Sequence, residues 1–98
     1  MRKRPVLDEL ELQRSLDALT GWTVNEEGLL AKKYTFPSFL EGVAFINRIA
    51  EIAERMNHHP FIGIDYRRVT LRLTTWSSGG LTSLDIESAA AYDAARSG

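Results

Sequence analysis

FIGIDYRRVTLRLTTW, residues 61–76, is the stretch whose reading decides the fold. Val69, Leu71, Leu73 and Thr75 alternate with Thr70, Arg72, Thr74 and Trp76. A period of two places the first set on one face of a β-strand and the second on the other. The first set is apolar and belongs to a core, whereas the second is polar and faces away, as in a sheet covered on one side only. Trp76 falls on the polar side, where an aromatic ring is hard to explain as filler. Phe61 to Tyr66 forms the strand before it, with Val69 to Trp76 as the strand that follows.

Upstream, Pro37-Ser38 opens a long helix that runs to Met56, proline being tolerated in the first turn. At about 100° per residue, Phe39, Val43, Ile46, Ala50 and Ala53 lie close together, and Phe45, Ile49, Ile52 and Met56 widen the stripe to half the circumference. One core requires only a stripe of roughly 100°. The surplus, centred on Phe45 and Ile52, points to a second apolar partner, either another subunit or the first helix. Trp22–Val24 and Leu29–Phe36 are two further strands, joined by Asn25-Glu26-Glu27-Gly28 as a hairpin loop. A first helix spans Leu7 to Leu19, with Leu12, Leu16 and Leu19 on one face and Thr20-Gly21 ending it. Downstream, Ser77-Ser78-Gly79-Gly80 is a loop, and Thr82-Ser83-Leu84-Asp85 has the pattern that starts a helix, here running to about Ala95. The order is α-β-β-α-β-β-α. It predicts an α+β fold, a four-stranded antiparallel sheet with three helices packed on one face. Residues 1–98 make a single domain in this reading, residues 1–5 being a flexible tail.

Composition narrows the function. The chain has 98 residues, 44% hydrophobic and 26% charged, as a soluble globular domain does. Its net charge of −1 argues against a dedicated binder of nucleic acid or of an anionic membrane. Arg2-Lys3-Arg4 is too short to alter that and reads as a solvated tail. The absence of cysteine removes disulfides, thiolate nucleophiles and cysteine-held zinc. No segment approaches the roughly 18 apolar residues of a membrane span, and the N-terminus lacks the apolar core of a signal peptide. The expected location is cytoplasmic.

Chemistry then rests on His58 and His59, the only two histidines. They sit where the long helix should end, because the residue before Pro60 is biased out of the helical region. A helix C-terminus carries partial negative charge that favours a positive imidazole. Glu54, four residues before His58, lies on the same helical face and acts in the same sense. This suits a group that gives and takes protons near neutral pH, although a histidine there can also simply cap the helix. Metal binding fits poorly, since adjacent histidines seldom point at one ion and no third histidine completes a set. Asp85 has a structural role open to it as the N3 residue of the capping box, and Tyr66 and Trp76 as packing aromatics.

Taken together, Glu54-x3-His58-His59-Pro60-x5-Tyr66-x9-Trp76-x8-Asp85 resembles the signature of the pterin-4a-carbinolamine dehydratases, a family that also serves in animals as the dimerisation cofactor of a homeodomain transcription factor. Leu19-Thr20-Gly21-Trp22, Phe36-Pro37-Ser38-Phe39, Phe45-Ile46-Asn47-Arg48, Tyr66-Arg67-Arg68-Val69 and Gly79-Gly80-Leu81-Thr82 look like its other recurring blocks, so the resemblance covers roughly Leu7 to Ala95. It implies an antiparallel four-stranded sheet with three helices to one side. It also implies a hydro-lyase that expels the hydroxyl of a 4a-hydroxytetrahydropterin as water, with no metal or cofactor required. By position, His58 would be the main acid/base, His59 would hold the pterin and Pro60 would shape the wall. Glu54 and Asp85 would orient or polarise the histidines, and Thr75, Trp76, Ser77 and Ser78 would line the pocket. Many members have a third histidine where this chain has Trp76, while others share the tryptophan. The resemblance further implies a homodimer or homotetramer, and leaves open a protein-interaction module that keeps the fold with little or no catalysis.

Overall fold

Local capping signals set most element boundaries in the computed structural model of the protein, which describes residues 4–96. Arg2 and Lys3 of the basic opening fall outside the described residues. Helix α1 (Glu9–Ala18) starts behind Asp8, whose carboxylate accepts from the Glu11 N–H while Glu11 accepts from the Asp8 N–H. That reciprocal box places the start two residues later than the apolar spacing suggested. Strands β1 (Thr23–Val24) and β2 (Leu30–Thr35) flank a loop. There the Asn25 Oδ1 accepts from the Glu27 and Leu29 N–H groups, and Gly28 takes a φ of +81°. Ser38 caps helix α2 (Phe39–Met56), accepting from the Glu41 N–H. Strands β3 (Phe61–Asp65) and β4 (Arg68–Leu73) follow, then a short 3-10 turn over Trp76–Ser78 and helix α3 (Ser83–Arg96).

The strands lie in the order β1-β2-β4-β3, every neighbour antiparallel. Leu30 pairs with Leu73, Lys32 with Leu71 and Tyr34 with Val69, so the buried side chains of β2 and β4 share the face covered by the helices. The α+β architecture is the one the alternation in residues 69–73 predicts. Strand β4 stops at Leu73 rather than continuing to Trp76, because its partners run out: β2 ends opposite Leu73 and β3 opposite Arg72. Beyond that point Thr75 turns inward and is held by a lone bridge to Gly80.

Helix α2 faces the sheet along Gly42, Phe45, Ile49, Ile52 and Ala53, all buried. This corrects the expected outward arc: Phe45 and Ile52, at 0% and 7% exposure, are core. The helix is rotated so that Phe39 and Leu40 carry the surplus, Leu40 being 75% exposed. Helix α3, rather than the first helix, packs beside α2: Arg48 Nε donates to the Ala95 carbonyl and Ser88 meets Met56. Full burial of a side chain such as Phe45 or Ile49 contributes about 1.5–3 kcal/mol.

One polar knot ties α3 to the first two strands. The Asp93 carboxylate accepts from the Trp22 indole N–H, the Lys32 ammonium and the Tyr34 hydroxyl, at 3.1, 2.9 and 2.5 Å. Burial, and then this carboxylate, push the Tyr34 pKa far upward. Tyr92 is different, since its buried hydroxyl has no hydrogen-bond partner among the described residues. Burial pushes it up to about 12, the neighbouring Ser88, whose hydroxyl reaches Met56 Sδ at 3.8 Å, pulls the other way, and the Asp85 charge adds to the rise. Because both hydroxyls ionise less readily in the folded chain than in the unfolded one, stability is insensitive to them below pH ~10 and falls as pH rises from there through the folded-state value. Tyr92→Phe is therefore expected to gain about 1 kcal/mol at pH 8, where the orphaned hydroxyl only costs desolvation. Its urea midpoint should also fall less steeply than the wild type's between pH 9 and 12.

Candidate functional site

Three chain segments meet beyond the end of the sheet: the C-terminus of α2, residues 74–76 after β4, and the start of α3. Their geometry begins with Asn57. It adopts the left-handed conformation, φ 50° and ψ 43°, and its N–H and that of His58 return to the Ala53 and Glu54 carbonyls. This is a Schellman-type stop, with asparagine in the place where glycine is commonest. The left-handed residue swings the chain so that His58 points inward, 9% exposed, and His59 outward.

His58 Nε2 lies 2.6 Å from Asp85 Oδ1. Asp85 is fully buried, and its other oxygen accepts from the Thr75 hydroxyl at 2.7 Å and the Thr82 N–H at 2.9 Å. The second of these is the capping-box bond expected of an N3 acid, so Asp85 serves helix α3 and His58 at once. A buried carboxylate is tolerable only when donors surround it, and the N-terminus of α3 adds its favourable dipole. Thr75 and Thr82 join each other at 2.8 Å, closing a buried network of four side chains.

Glu54 is where the expectation fails. Its carboxylate pairs with His59 Nε2 at 2.5 Å, on the exposed surface, and not with His58. The i, i+4 relation holds only while the helix continues, and Asn57 ends it. His58 leaves the helical face, and His59, five residues beyond Glu54, comes over the carboxylate instead.

Beside the histidines lies a cleft of about 710 Å3, walled by Met56, Asn57, His58, His59, Thr74, Thr75, Trp76, Ser77, Leu84 and Arg4. It therefore gathers His58, His59, Thr75, Trp76 and Ser77 of the expected set. Pro60 and Ser78 are not on its wall; the Ser78 hydroxyl donates to the Arg4 carbonyl. Asp85 and Glu54 stand behind the two imidazoles. Trp76 is 73% exposed and meets Phe61 edge-on, ring centroids 6.1 Å apart. Tyr66 of the sequence signature is elsewhere: it sits at φ 55° in the turn between β3 and β4, at the opposite end of β3 from His59. Sequence reasoning missed the walls supplied by Met56, Thr74 and Leu84, which carry no signal beyond apolar or strand periodicity. It also treated Thr82 as a helix cap only. Among the described residues, no three of His, Cys, Asp or Glu converge as a metal-ligand set.

Such an arrangement can hold a flat ligand against Trp76 and exchange protons with it through an imidazole backed by a carboxylate. Comparison with known proteins points the same way. The family described as Pterin 4 alpha carbinolamine dehydratase matches residues 5–95. A relative from Koribacter versatilis, provisionally named a pterin-4-alpha-carbinolamine dehydratase, is 47% identical over 83 residues, covering 85% of this chain and 87% of that one. One from Sulfurisphaera tokodaii with the same provisional name is 39% identical over 87 residues, covering 89% and 92%. The crystal structure of a transcriptional coactivator/pterin dehydratase from Brucella melitensis superposes with a TM-score of 0.89 at 33% identity, over 93% of this chain and 98% of that one. A pterin dehydratase-like protein identified as a RuBisCO assembly factor in the alpha-carboxysome shares the fold, with a TM-score of 0.67 at 24% identity over 78% of this chain and 89% of that one. The chain belongs to the pterin-4a-carbinolamine dehydratase family.

Proposed function

We propose that the protein is a hydro-lyase that converts 4a-hydroxytetrahydropterin into quinonoid dihydropterin and water, recycling the pterin cofactor of aromatic amino acid hydroxylases in the cytoplasm. The observation that carries this reading is the buried His58–Asp85 pair opening on a cleft walled by His59 and Trp76. In the reaction the C4a–O bond breaks, the departing oxygen takes a proton, N5 loses one, and a C4a=N5 bond forms. Only a positioned acid and base are needed. His58 moves the proton, with Asp85 holding the imidazolium it becomes. His59, steadied by Glu54 at the rim, binds the pterin, and Trp76 stacks on its face. Tryptophan cannot shuttle protons at neutral pH, so the proton traffic falls to His58 and water. The test is the decay of freshly generated 4a-hydroxytetrahydropterin. The wild type should accelerate it and the His58→Ala/His59→Ala double variant should not; a folded wild type without effect would remove the enzymatic reading.

A second reading, an interaction module of the same fold, draws on one feature. Phe39 and Leu40 at the start of α2, and Ile62 and Ile64 on the outermost strand β3, leave apolar surface open. The Brucella relative's description as a transcriptional coactivator fits that reading. The double histidine variant separates the two, since partner binding at α2 and β3 should survive it. The same surface supports self-association: an unpaired edge with apolar side chains is a template for a second copy. Ile62→Lys/Ile64→Lys is expected to convert a dimer or tetramer into smaller species in sedimentation velocity, with the fold retained because both sites are 40% exposed already.

A further inference from the structure

We infer that Thr82, acting through Thr75 and Asp85, is a positioning residue that keeps the His58 proton on Nε2 and presents Nδ1 as the atom that exchanges protons in the cleft. The direction of every hydrogen bond in the network follows from counting protons. Asp85 Oδ2 accepts from the Thr82 N–H, and as a carboxylate oxygen it can only accept from Thr75 Oγ1 as well. Thr75 owns a single hydroxyl proton and gives it to Asp85. Its bond with Thr82 Oγ1 must therefore be donated by Thr82. Thr82 Oγ1 in turn accepts from the Leu84 N–H at 3.2 Å. The chain runs one way, from the Leu84 amide through two threonine hydroxyls into the carboxylate.

Oδ2 is taken up by two donors, and Oδ1, the other oxygen of the same carboxylate, accepts as well, so His58 Nε2 must carry the hydrogen between them. The other nitrogen, Nδ1, makes no bond within the described residues and is not sealed from solvent. It is left with a free lone pair beside the cleft. When Nδ1 takes a proton, the imidazolium faces a carboxylate that two other donors already hold in place. When it returns the proton, the Nε2–H tautomer is restored without any side chain turning. Such outer partners fix ring orientation and tautomer in other histidine sites. Thr82 itself is fully buried and is not on the cleft wall, so it acts only through this chain.

The tautomer is independent of the dehydratase reading; its catalytic meaning rests on that reading. Long-range proton–nitrogen NMR correlations of the 15N-labelled full chain, at a pH where His58 is neutral, assign the ring proton. The wild type is expected to show Nε2–H, with Nδ1 unprotonated. Thr82→Val removes the hydroxyl whose donated proton fixes the direction of the Thr75 hydroxyl; Thr75 is then free to turn from Asp85, which should move population toward the Nδ1–H form, and Thr82→Ser should restore the wild-type spectrum. In the pterin assay Thr82→Val should lower kcat roughly tenfold, the worth of one buried hydrogen bond, with KM unchanged. Nδ1–H in the wild type would overturn the inference without recourse to any variant. So would a Thr82→Val spectrum identical to the wild type's. A wild type that shows Nε2–H yet does not accelerate dehydration would remove the enzymatic reading and leave the tautomer assignment standing.

Discussion

His58→Gln should slow pterin dehydration about 10²–10⁴-fold, the range over which a single general acid–base group acts. Glutamine is the informative substitute. Its amide can donate to Asp85 Oδ1 as the imidazole does at 2.6 Å, so the buried carboxylate keeps a partner and the fold survives. What it cannot do is accept and return a proton near neutral pH. His59→Gln should cost much less. His59 is exposed and paired with the exposed Glu54, and surface pairs of this kind are worth ~0–1 kcal/mol. The expected pattern is a collapse of kcat for His58 and a rise in KM for His59. Equal losses in kcat at both positions would show that the proton work is shared, and that assigning it to the inward-facing ring alone is wrong.

The largest loss of stability is expected at Asp85. Replacing it by alanine deprives the His58 ring, the Thr75 hydroxyl and the Thr82 amide of their common acceptor, all within a buried space. Removing one partner of a buried charged network typically costs about 3–5 kcal/mol, which for a domain of this size is a fall in Tm of roughly 12–40 °C. Asp85→Asn should be milder in stability, because its carbonyl oxygen still accepts from Thr75 and Thr82. Its amide nitrogen would meet the Nε2–H donor to donor, so the histidine must turn or change tautomer, and activity should fall nearly as far as in Asp85→Ala. Thermal unfolding and turnover measured on the same samples separate the two effects. A Tm for Asp85→Ala within a few degrees of the wild type would mean that water replaces the carboxylate, and that the network is less closed than its hydrogen bonds indicate.

Much of this architecture was legible because one-sided burial leaves a strict record. Val69, Leu71 and Leu73 alternate with polar residues, and a slip of one residue would bury Arg72, so both the strand and its core face could be read from the sequence. Helix α2 left a weaker record. Nine apolar residues over half a circumference establish the helix but not its rotation, and the core took the side centred on Phe45, Ile49 and Ile52. The end of that helix could be read from Pro60, yet Pro60 does not say which histidine turns inward. That depends on the left-handed Asn57, whose own signal, an asparagine just past the last helical residue, was present but ambiguous. Thr82 posed a different problem. A threonine three residues before an acid reads as a cap from local spacing alone. Its second partner, Thr75, arrives from across a loop, and only tertiary structure brings the two hydroxyls together.

The left-handed turn at Asn57 has a consequence for reactivity. It divides two neighbouring and chemically identical side chains between the interior and the surface. An imidazole-acylating reagent will meet His59 first and reach His58 only through the cleft, so occupancy of the cleft becomes readable as protection of one ring while its neighbour is still consumed.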